Sequence, residues 1–328
     1  MTFKEKFRLL RSGAYFEASR QLDEIRAAAG SPWRRNPREG RRRGIDHYPP
    51  GQLTWVVATA FSRFKAKFNH YPNMARPRTF NDKVMWFKFF GEIKTPESGN
   101  KLATASFIPA SLLDQLSCAP LAWQGSTARL PQNHELTAGV YYLKASHGSG
   151  MFERLRYPLS SERRSRLEVM ANGWLQKPFG HDNGEWWYNV FTPQLMLERC
   201  VQGDQGDQDS ISWNFYVLNG EVPMVGLFLK SATTGQEYST WLGPDFQPLP
   251  WQPILPPVPN YQIGPRQHEM LTYALEIAKP FSAVRVDFLL GSDDRVYLCE
   301  LTFSPGNAMS RRPPEVESLL SAPWRELT

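Results

Sequence analysis

Two carboxylates and an arginine stand close together late in the 328-residue chain. Arg285 and Asp287 lie in Val-Arg-Val-Asp-Phe (284–288), and Glu300 lies in Leu-Cys-Glu-Leu-Thr-Phe-Ser-Pro-Gly (298–306). Both flanks alternate and are rich in β-branched and aromatic residues, which predicts strands. Gly291-Ser292-Asp293-Asp294 supplies turn residues between them. Side chains alternate along a strand, so Arg285 and Asp287 share one face, as do Glu300 and Thr302. Pairing Gly291 with Asp294 sets Arg285 opposite Glu300, with Asp287 as its diagonal neighbour. An even-numbered turn gathers these groups on one surface, and an odd-numbered turn scatters them. Two carboxylates held close repel unless positive charge sits between them. Mg²⁺ suits that position, being a hard ion commonly held by one or two carboxylates plus phosphates. Arg285 could steady a phosphoryl oxygen or neutralise Glu300. The competing reading is a surface hairpin with one cross-strand ion pair. Pro305-Gly306 follows the polar strand end as a tight bend that a ligand can approach, which favours the first reading.

A second segment, Lys144-Ala-Ser-His-Gly-Ser-Gly150, ends a predicted buried strand over 140–145. A lysine followed by a glycine-rich turn can meet phosphates with its ammonium and its backbone N–H groups. It is not a Walker loop, because G-x-x-x-x-G-K-[ST] is absent. Alone its Gly-Ser-Gly is weak evidence, because most such triplets are ordinary turns. Glu198, in Leu-Met-Leu-Glu-Arg-Cys-Val, is a carboxylate in an apolar strand and costly unless paired. It could accept from an adenine amino group or a ribose hydroxyl, or reach solvent at the strand end. His147 could take a proton or simply bond to backbone. Trp186, Trp187 and Tyr188 could stack on a sugar or fill the core.

These side chains need elements to hold them. Apolar spacing predicts a helix or helix pair over 3–28, then helices over 53–68 and 80–90. Thr79 and Asp82 offer a cap for the helix over 80–90. A charged helix is expected over 161–177 and a strand over 194–201. A hairpin turning at Asn219-Gly220 follows, then a proline-rich loop over 241–265 and a helix over 267–279. Mixed hairpins and helices with no repeat predict α+β, not a parallel βαβ sheet.

Composition sets the bounds. At 41% hydrophobic and 13% aromatic the chain is globular, and no apolar run approaches the ~20 residues that span a bilayer. Charges in Met-Thr-Phe-Lys-Glu-Lys-Phe-Arg argue against a signal peptide, so the expected location is cytoplasmic, with the inner face of the membrane as a peripheral option. Cys118, Cys200 and Cys299 read as buried free thiols. The net charge of +6 is concentrated in Arg34–Arg43, where six arginines meet one glutamate. That run is either a solvated linker or a contact for an anionic surface. A generally basic nucleic-acid binder is not expected.

Several motifs stand in order along residues 72–315: Arg78-Thr-Phe-Asn-Asp-Lys-Val-Met-Trp86, Asn100-Lys101-Leu-Ala, Tyr142-Leu-Lys-Ala-Ser-His-Gly-Ser-Gly150, Glu185-Trp-Trp-Tyr-Asn189, Leu197-Glu198, Phe215-Tyr-Val-Leu-Asn-Gly-Glu221, and the two segments around Asp287 and Glu300. Together they resemble the ATP-grasp superfamily, and more closely its TupA-like branch, associated with teichuronopeptide and other cell-surface polysaccharide synthesis. The resemblance implies an ATP-grasp fold, two α+β subdomains clasping a nucleotide, with a helical N-terminal extension. The implied cofactors are ATP and Mg²⁺. Lys101 and Lys144 would contact phosphates, and His147, Gly148, Ser149 and Gly150 would form the covering loop. Glu198 would lie in the adenine–ribose hinge. Asp287, Glu300 and Thr302 would serve the metal, and Arg285 the transferring phosphoryl group. The implied reaction joins a carboxylate to an amine, one partner being a glycan in that branch, through an acyl phosphate. A kinase on the same scaffold and a nucleotide binder without catalysis are the alternatives. Four positions depart from the pattern: Thr302 stands for the usual Asn, Asn100 for Asp, Asn214 for Lys, and Ala103–Ser106 lacks an expected Arg. Expected divisions are a helical extension and Arg-rich linker over 1–50, a helical part of the core over 51–104, a lid over 105–202 and a metal-bearing subdomain over 203–328.

Overall fold

The computed structural model describes residues 1–201, 210–231 and 234–325. The expected boundary between 202 and 203 lies outside them. The described helices are α1 (Phe3–Arg11), α2 (Ala14–Ala27), α3 (Gly44–His47), α4 (Pro50–Phe68), α5 (Phe80–Phe90), α6 (Ser161–Gln176), α7 (Pro265–Ala278) and α8 (Pro314–Ser321). The strands are β1 (Arg41–Arg42), β2 (Ile93–Lys94), β3 (Ser117–Cys118), β4 (Leu121–Gly125), β5 (Gly139–Ala145), β6 (Phe152–Tyr157), β7 (Leu195–Arg199), β8 (Ser212–Leu218), β9 (Glu221–Lys230), β10 (Glu237–Leu242), β11 (Ala283–Leu290) and β12 (Val296–Thr302). The chain is α+β, as the mixed order of hairpins and helices implies. Two compact units divide it: Met1–Ser98 with Pro178–Val190 and Phe303–Thr328, and Gly99–Lys177 with Phe191–Thr302.

The first unit is mainly helical. Thr2 and Glu5 form a capping box on α1, and Thr79 and Asp82 form one on α5, satisfying N–H groups the helices leave open. α2 packs on α4, burying Ala18, Leu22 and Ile25 on one side and Val57, Phe61 and Phe64 on the other. Trp186 and Trp187 are core residues here, and the Trp186 indole N–H donates to the Lys88 carbonyl at 3.1 Å. The bend expected at Pro305-Gly306 is present: Gly306, Asn307 and Ala308 have φ of 63°, 55° and 60°. That left-handed run is disfavoured for side-chain-bearing residues. The fully buried Lys88 ammonium holds it, donating to Asn307 Oδ1 at 2.6 Å. Burial pushes the Lys88 pKa down to about 8, with Glu185 acting the other way.

The arginine-rich segment is not simply a solvated linker. Arg41 and Arg42 form β1 against Ile93 and Lys94 of β2. Arg43 is buried, bonding Asp46 and the Pro32 carbonyl, and Arg38 pairs with Glu92. Local charge density hid these partners, because Glu92 lies far along the chain.

The second unit holds two sheets. One runs β10-β9-β8-β11-β12-β3, antiparallel except for β12 with β3; the other runs β4-β7-β5-β6, antiparallel throughout. Trp213, Phe215 and Val217 of β8 alternate into the core with Val284, Val286 and Phe288 of β11, leaving the residues between them on the other face. The β8–β9 hairpin turns at Asn219 and Gly220, whose φ of 48° and 79° suit a tight two-residue loop. Gly220→Ala would keep its surroundings open but force a side chain into the left-handed region. The expected cost is about 1 kcal/mol, read as a lower chemical-denaturation midpoint with unchanged slope.

Candidate functional site

The β11–β12 hairpin corrects the sequence-based register. Its loop is three residues, Ser292-Asp293-Asp294, closed by the Gly291 N–H donating to the Arg295 carbonyl at 2.8 Å, with Asp294 left-handed at φ 59°. Phe288 faces Leu298, but Asp287 faces Glu300, so Cys299 is an extra residue that bulges β12. Arg285 therefore faces Thr302, not Glu300, and Asp287 faces Glu300 directly. The odd loop would have scattered these groups, and the bulge reunites them. On the other side of β11, Tyr216 pairs with Arg285 and Asn214 with Asp287. Two rows thus cross three strands: Tyr216–Arg285–Thr302 and Asn214–Asp287–Glu300.

Arg285 grips Asp287 through two bonds, Nε to Oδ1 at 2.7 Å and Nη2 to Oδ2 at 2.5 Å. Its Nη2 also donates to Thr302 Oγ1 at 3.2 Å and lies 3.7 Å from Glu300 Oε1. Asp287 is buried, whereas the Glu300 side chain is 41% exposed. Burial pushes the Asp287 carboxyl up to about 7 even though Arg285 pulls it down, and the neighbouring Glu300 adds to the rise. Burial also works against the Glu300 charge, but Lys101, Arg285 and Lys144 outweigh it and hold its pKa below the usual range. The hairpin face and both lysines are therefore electrostatically one site.

Those lysines come from elsewhere in the unit. Lys101 opens a short helical turn capped by Asn100, whose Oδ1 accepts from the Leu102 N–H at 3.1 Å. That cap is a use for the amide standing where an aspartate was expected. The Lys101 ammonium donates to the Gly148 carbonyl at 2.5 Å, and burial lowers its pKa. Tyr142 and Lys144 share a face of β5, and Glu198 of β7 lies opposite Tyr142. The Lys144 ammonium bonds the Glu198 carboxylate. Burial opposes the Lys144 charge, yet Glu198 and the other acidic groups near it together outweigh burial, and its pKa is raised. Of the two sequence readings of Glu198, solvent at a strand end does not describe it: its side chain is 12% exposed.

A cleft lies beside this pair, lined among others by Tyr142, Lys144, Glu198, Leu289, Leu298 and Cys299. The sequence reading gives Tyr142, Leu289, Leu298 and Cys299 no role at the site, although Tyr142 opens a motif and Cys299 reads as a buried thiol. The signal for Tyr142 was available, since it stands two residues before Lys144 on a strand. Cys299 reaches the cleft only because of the bulge, which no local motif announces. The three cysteines are free, but only Cys200 is buried; Cys118 and Cys299 are half-buried. Burial pushes the Cys118 thiol up to about 12 and the Cys299 thiol well above its ordinary value, so both stay protonated at neutral pH.

In the 147–150 loop, Gly148 and Gly150 both have φ of 73°, and Ser149 and Gly150 are exposed. His147 is buried, with Nε2 3.1 Å from the Lys177 carbonyl and no partner for Nδ1. Burial lowers its pKa, favouring the neutral ring. Among the described residues no three His, Cys, Asp or Glu side chains gather to chelate a metal unaided. The Asp287–Glu300 pair with the Thr302 hydroxyl suits a hard dication that takes its other ligands from phosphate and water.

No protein-family model matches the chain, and no curated protein does. Solved structures similar to it include an L-amino acid ligase from Bacillus licheniformis, at 13% identity and a TM-score of 0.40, covering 65% of this chain and 44% of that one. The ATP-grasp ligase PsnB complexed with a minimal precursor gives 12% identity and a TM-score of 0.38, covering 68% and 59%. D-alanyl-alanine synthetase A from Vibrio cholerae O1 gives 13% and 0.37, covering 69% and 65%. The chain spans less than two thirds of the length of each of these.

The Asp287 shift has a definite sign. A carboxyl whose pKa rises on folding binds its proton more tightly in the folded chain, so its contribution to stability falls as pH rises from about 4 to about 7. Asp287→Asn removes that term. Measured by chemical denaturation without metal or nucleotide, the variant is expected to gain stability relative to the unmodified chain across that window. A difference that stays flat with pH would refute the shift.

Proposed function

We propose that this chain is an ATP-dependent carboxylate–amine ligase of ATP-grasp type, acting through an acyl phosphate. One observation carries the reading: Asp287 and Glu300 face each other across adjacent strands, with Arg285 on Asp287 and the Lys101 and Lys144 ammonium groups biasing Glu300. A face of that composition suits a triphosphate with its divalent counter-ion. In this reading Lys101, Lys144 and the 147–150 loop bind phosphate oxygens. Glu198, beside the cleft, accepts from the adenine–ribose end. Asp287, Glu300 and Thr302 would hold Mg²⁺, which would supply charge neutralisation for the phosphates.

The chemistry needs no enzyme nucleophile. A substrate carboxylate oxygen attacks the γ-phosphorus, the bond to the ADP oxygen breaks, and an acyl phosphate forms. The amine nitrogen then bonds the acyl carbon, phosphate leaves with the electrons of the C–O bond, and the nitrogen loses a proton. Arg285 steadies the charge of the transferring group. The exposed Ser149 and Gly150 let the loop close over the phosphates and exclude water, which protects the acyl phosphate. His147 holds the base of that loop through the Lys177 carbonyl, and its unpartnered Nδ1 is the atom that could take the amine proton. A cell-surface polysaccharide or its precursor, joined to an amino acid or amine, is the acceptor class we assign. Its support is the order of motifs in the sequence.

The test is phosphate release from Mg-ATP against panels of amino acids and uronic-acid glycans. Release is expected only with a carboxylate and an amine together. Asp287→Asn and Glu300→Gln are each expected to lower turnover by about a hundredfold or more, with the folded circular-dichroism spectrum retained. Unchanged turnover in both variants would remove the metal assignment. A phosphorylated acceptor formed without any amine would identify a kinase instead.

A further inference from the structure

Helix α1 carries an outward apolar stripe that the site does not use. Phe3, Phe7 and Leu10 are 86%, 58% and 37% exposed, and Phe16 just beyond the Gly13 turn is 63% exposed. Positions 3, 7 and 10 recur one and two helical turns apart, so their side chains fall on one line. Leu9 is the buried residue of the helix and lies toward the opposite side, which fixes the stripe outward. On the helical wheel Lys6 flanks the stripe on one side and Lys4 and Arg11 on the other, with Arg8 beyond. Glu5, the acidic residue of the helix, bends back to cap Thr2. Two exposed phenylalanines and a leucine, flanked by Lys4 and Arg11 on one side and by Lys6, over the Trp55 ring at 5.2 Å, on the other, make the pattern of a helix lying in a bilayer interface.

We propose that α1 with Phe16 docks this protein in plane on an anionic lipid surface. The phenylalanines would enter the boundary between headgroups and acyl chains, and the lysines and arginines would meet the lipid phosphates. Charge decides between occupants. A second copy pairing through the same stripe would bring like cationic flanks together, whereas anionic headgroups neutralise them. A single short helix binds weakly, and stable attachment takes a second signal. Arg34, Arg35 and Arg42 supply one: all are exposed and follow α2, whose 14 residues span about 21 Å, along the chain. The Arg26 guanidinium over the Trp33 ring, at 4.8 Å, ties that segment to α2. No described helix is long and apolar enough to cross a membrane.

The experiment is co-sedimentation of the full chain with vesicles of phosphatidylglycerol and phosphatidylcholine, set against phosphatidylcholine alone. Binding is expected to the anionic vesicles and to weaken with salt. The double variant Phe3→Ser/Phe7→Ser is expected to bind at least about tenfold more weakly with an unchanged melting temperature. Lys4→Glu/Arg11→Glu is expected to weaken it likewise. Three results would overturn the proposal: no binding to the anionic vesicles, binding that survives the phenylalanine substitutions, or a dimer in solution that those substitutions dissolve.

Discussion

In an antiparallel hairpin the parity of the loop decides which side chains meet, because successive side chains point to opposite faces. The β11–β12 loop is odd. Without interruption Glu300 would pair with Val286, a fully buried core position, and an unpaired carboxylate there would cost several kcal/mol. The bulge at Cys299 resolves the conflict. Before it, Val296 and Leu298 face the core; after it, the core register passes to Leu301 opposite Val286, and Glu300 and Thr302 turn to the face of Arg285 and Asp287. One inserted residue thus serves both packing and chemistry, since the apolar alternation of β11 and the carboxylate pair are satisfied by the same shift.

The resulting face is balanced in charge. Lys101, Lys144 and Arg285 stand against Glu198, Asp287 and Glu300. Within that balance the groups are tied to each other: Arg285 to Asp287, Lys144 to Glu198, and Lys101 to the Gly148 carbonyl. Two of the departures noted in the sequence, Asn214 and Thr302, fall on this face. Asn214 sits beside Asp287 on β8, where a lysine would have supplied a second counter-charge. With a neutral amide there, the burial of Asp287 is offset by Arg285 alone, and its carboxyl rises accordingly. Burial is the main cause of that rise, and the neutral amide at position 214 adds no charge against it.

What the sequence made legible follows the range of the interactions involved. The start of the helix over 80–90 was readable, because its cap at Thr79 and Asp82 is local. The β8–β9 hairpin was readable because Asn219-Gly220 is a turn with its own chemistry. Strands β3 and β4 were not, being short edge segments with exposed residues such as Leu121 and no apolar alternation. The burial of Arg43 was hidden by the basic run around it. Lys101, Lys144, the 147–150 loop, Glu198, Arg285, Asp287, Glu300 and Thr302 all lie in one compact unit, but the pairings between them were beyond the reach of the sequence. Lys144 and Glu198 are 54 positions apart, and the bulge has no residue signature.

On the proposed reading the same self-pairing has a functional meaning. A ligand with phosphate oxygens competes with carboxylates already present, so each new contact replaces an old one. If phosphate draws Lys144 away, Glu198 is left buried and needs donors, which an adenine amino group or ribose hydroxyl provides. If the transferring phosphoryl group draws Arg285, Asp287 loses its grip and, at a pKa near 7, must either keep its proton or gain a dication. Nucleotide and metal are then each costly to bind alone and mutually supportive together, because each compensates the charge that the other uncovers. That coupling comes from the ion pairs within this one face.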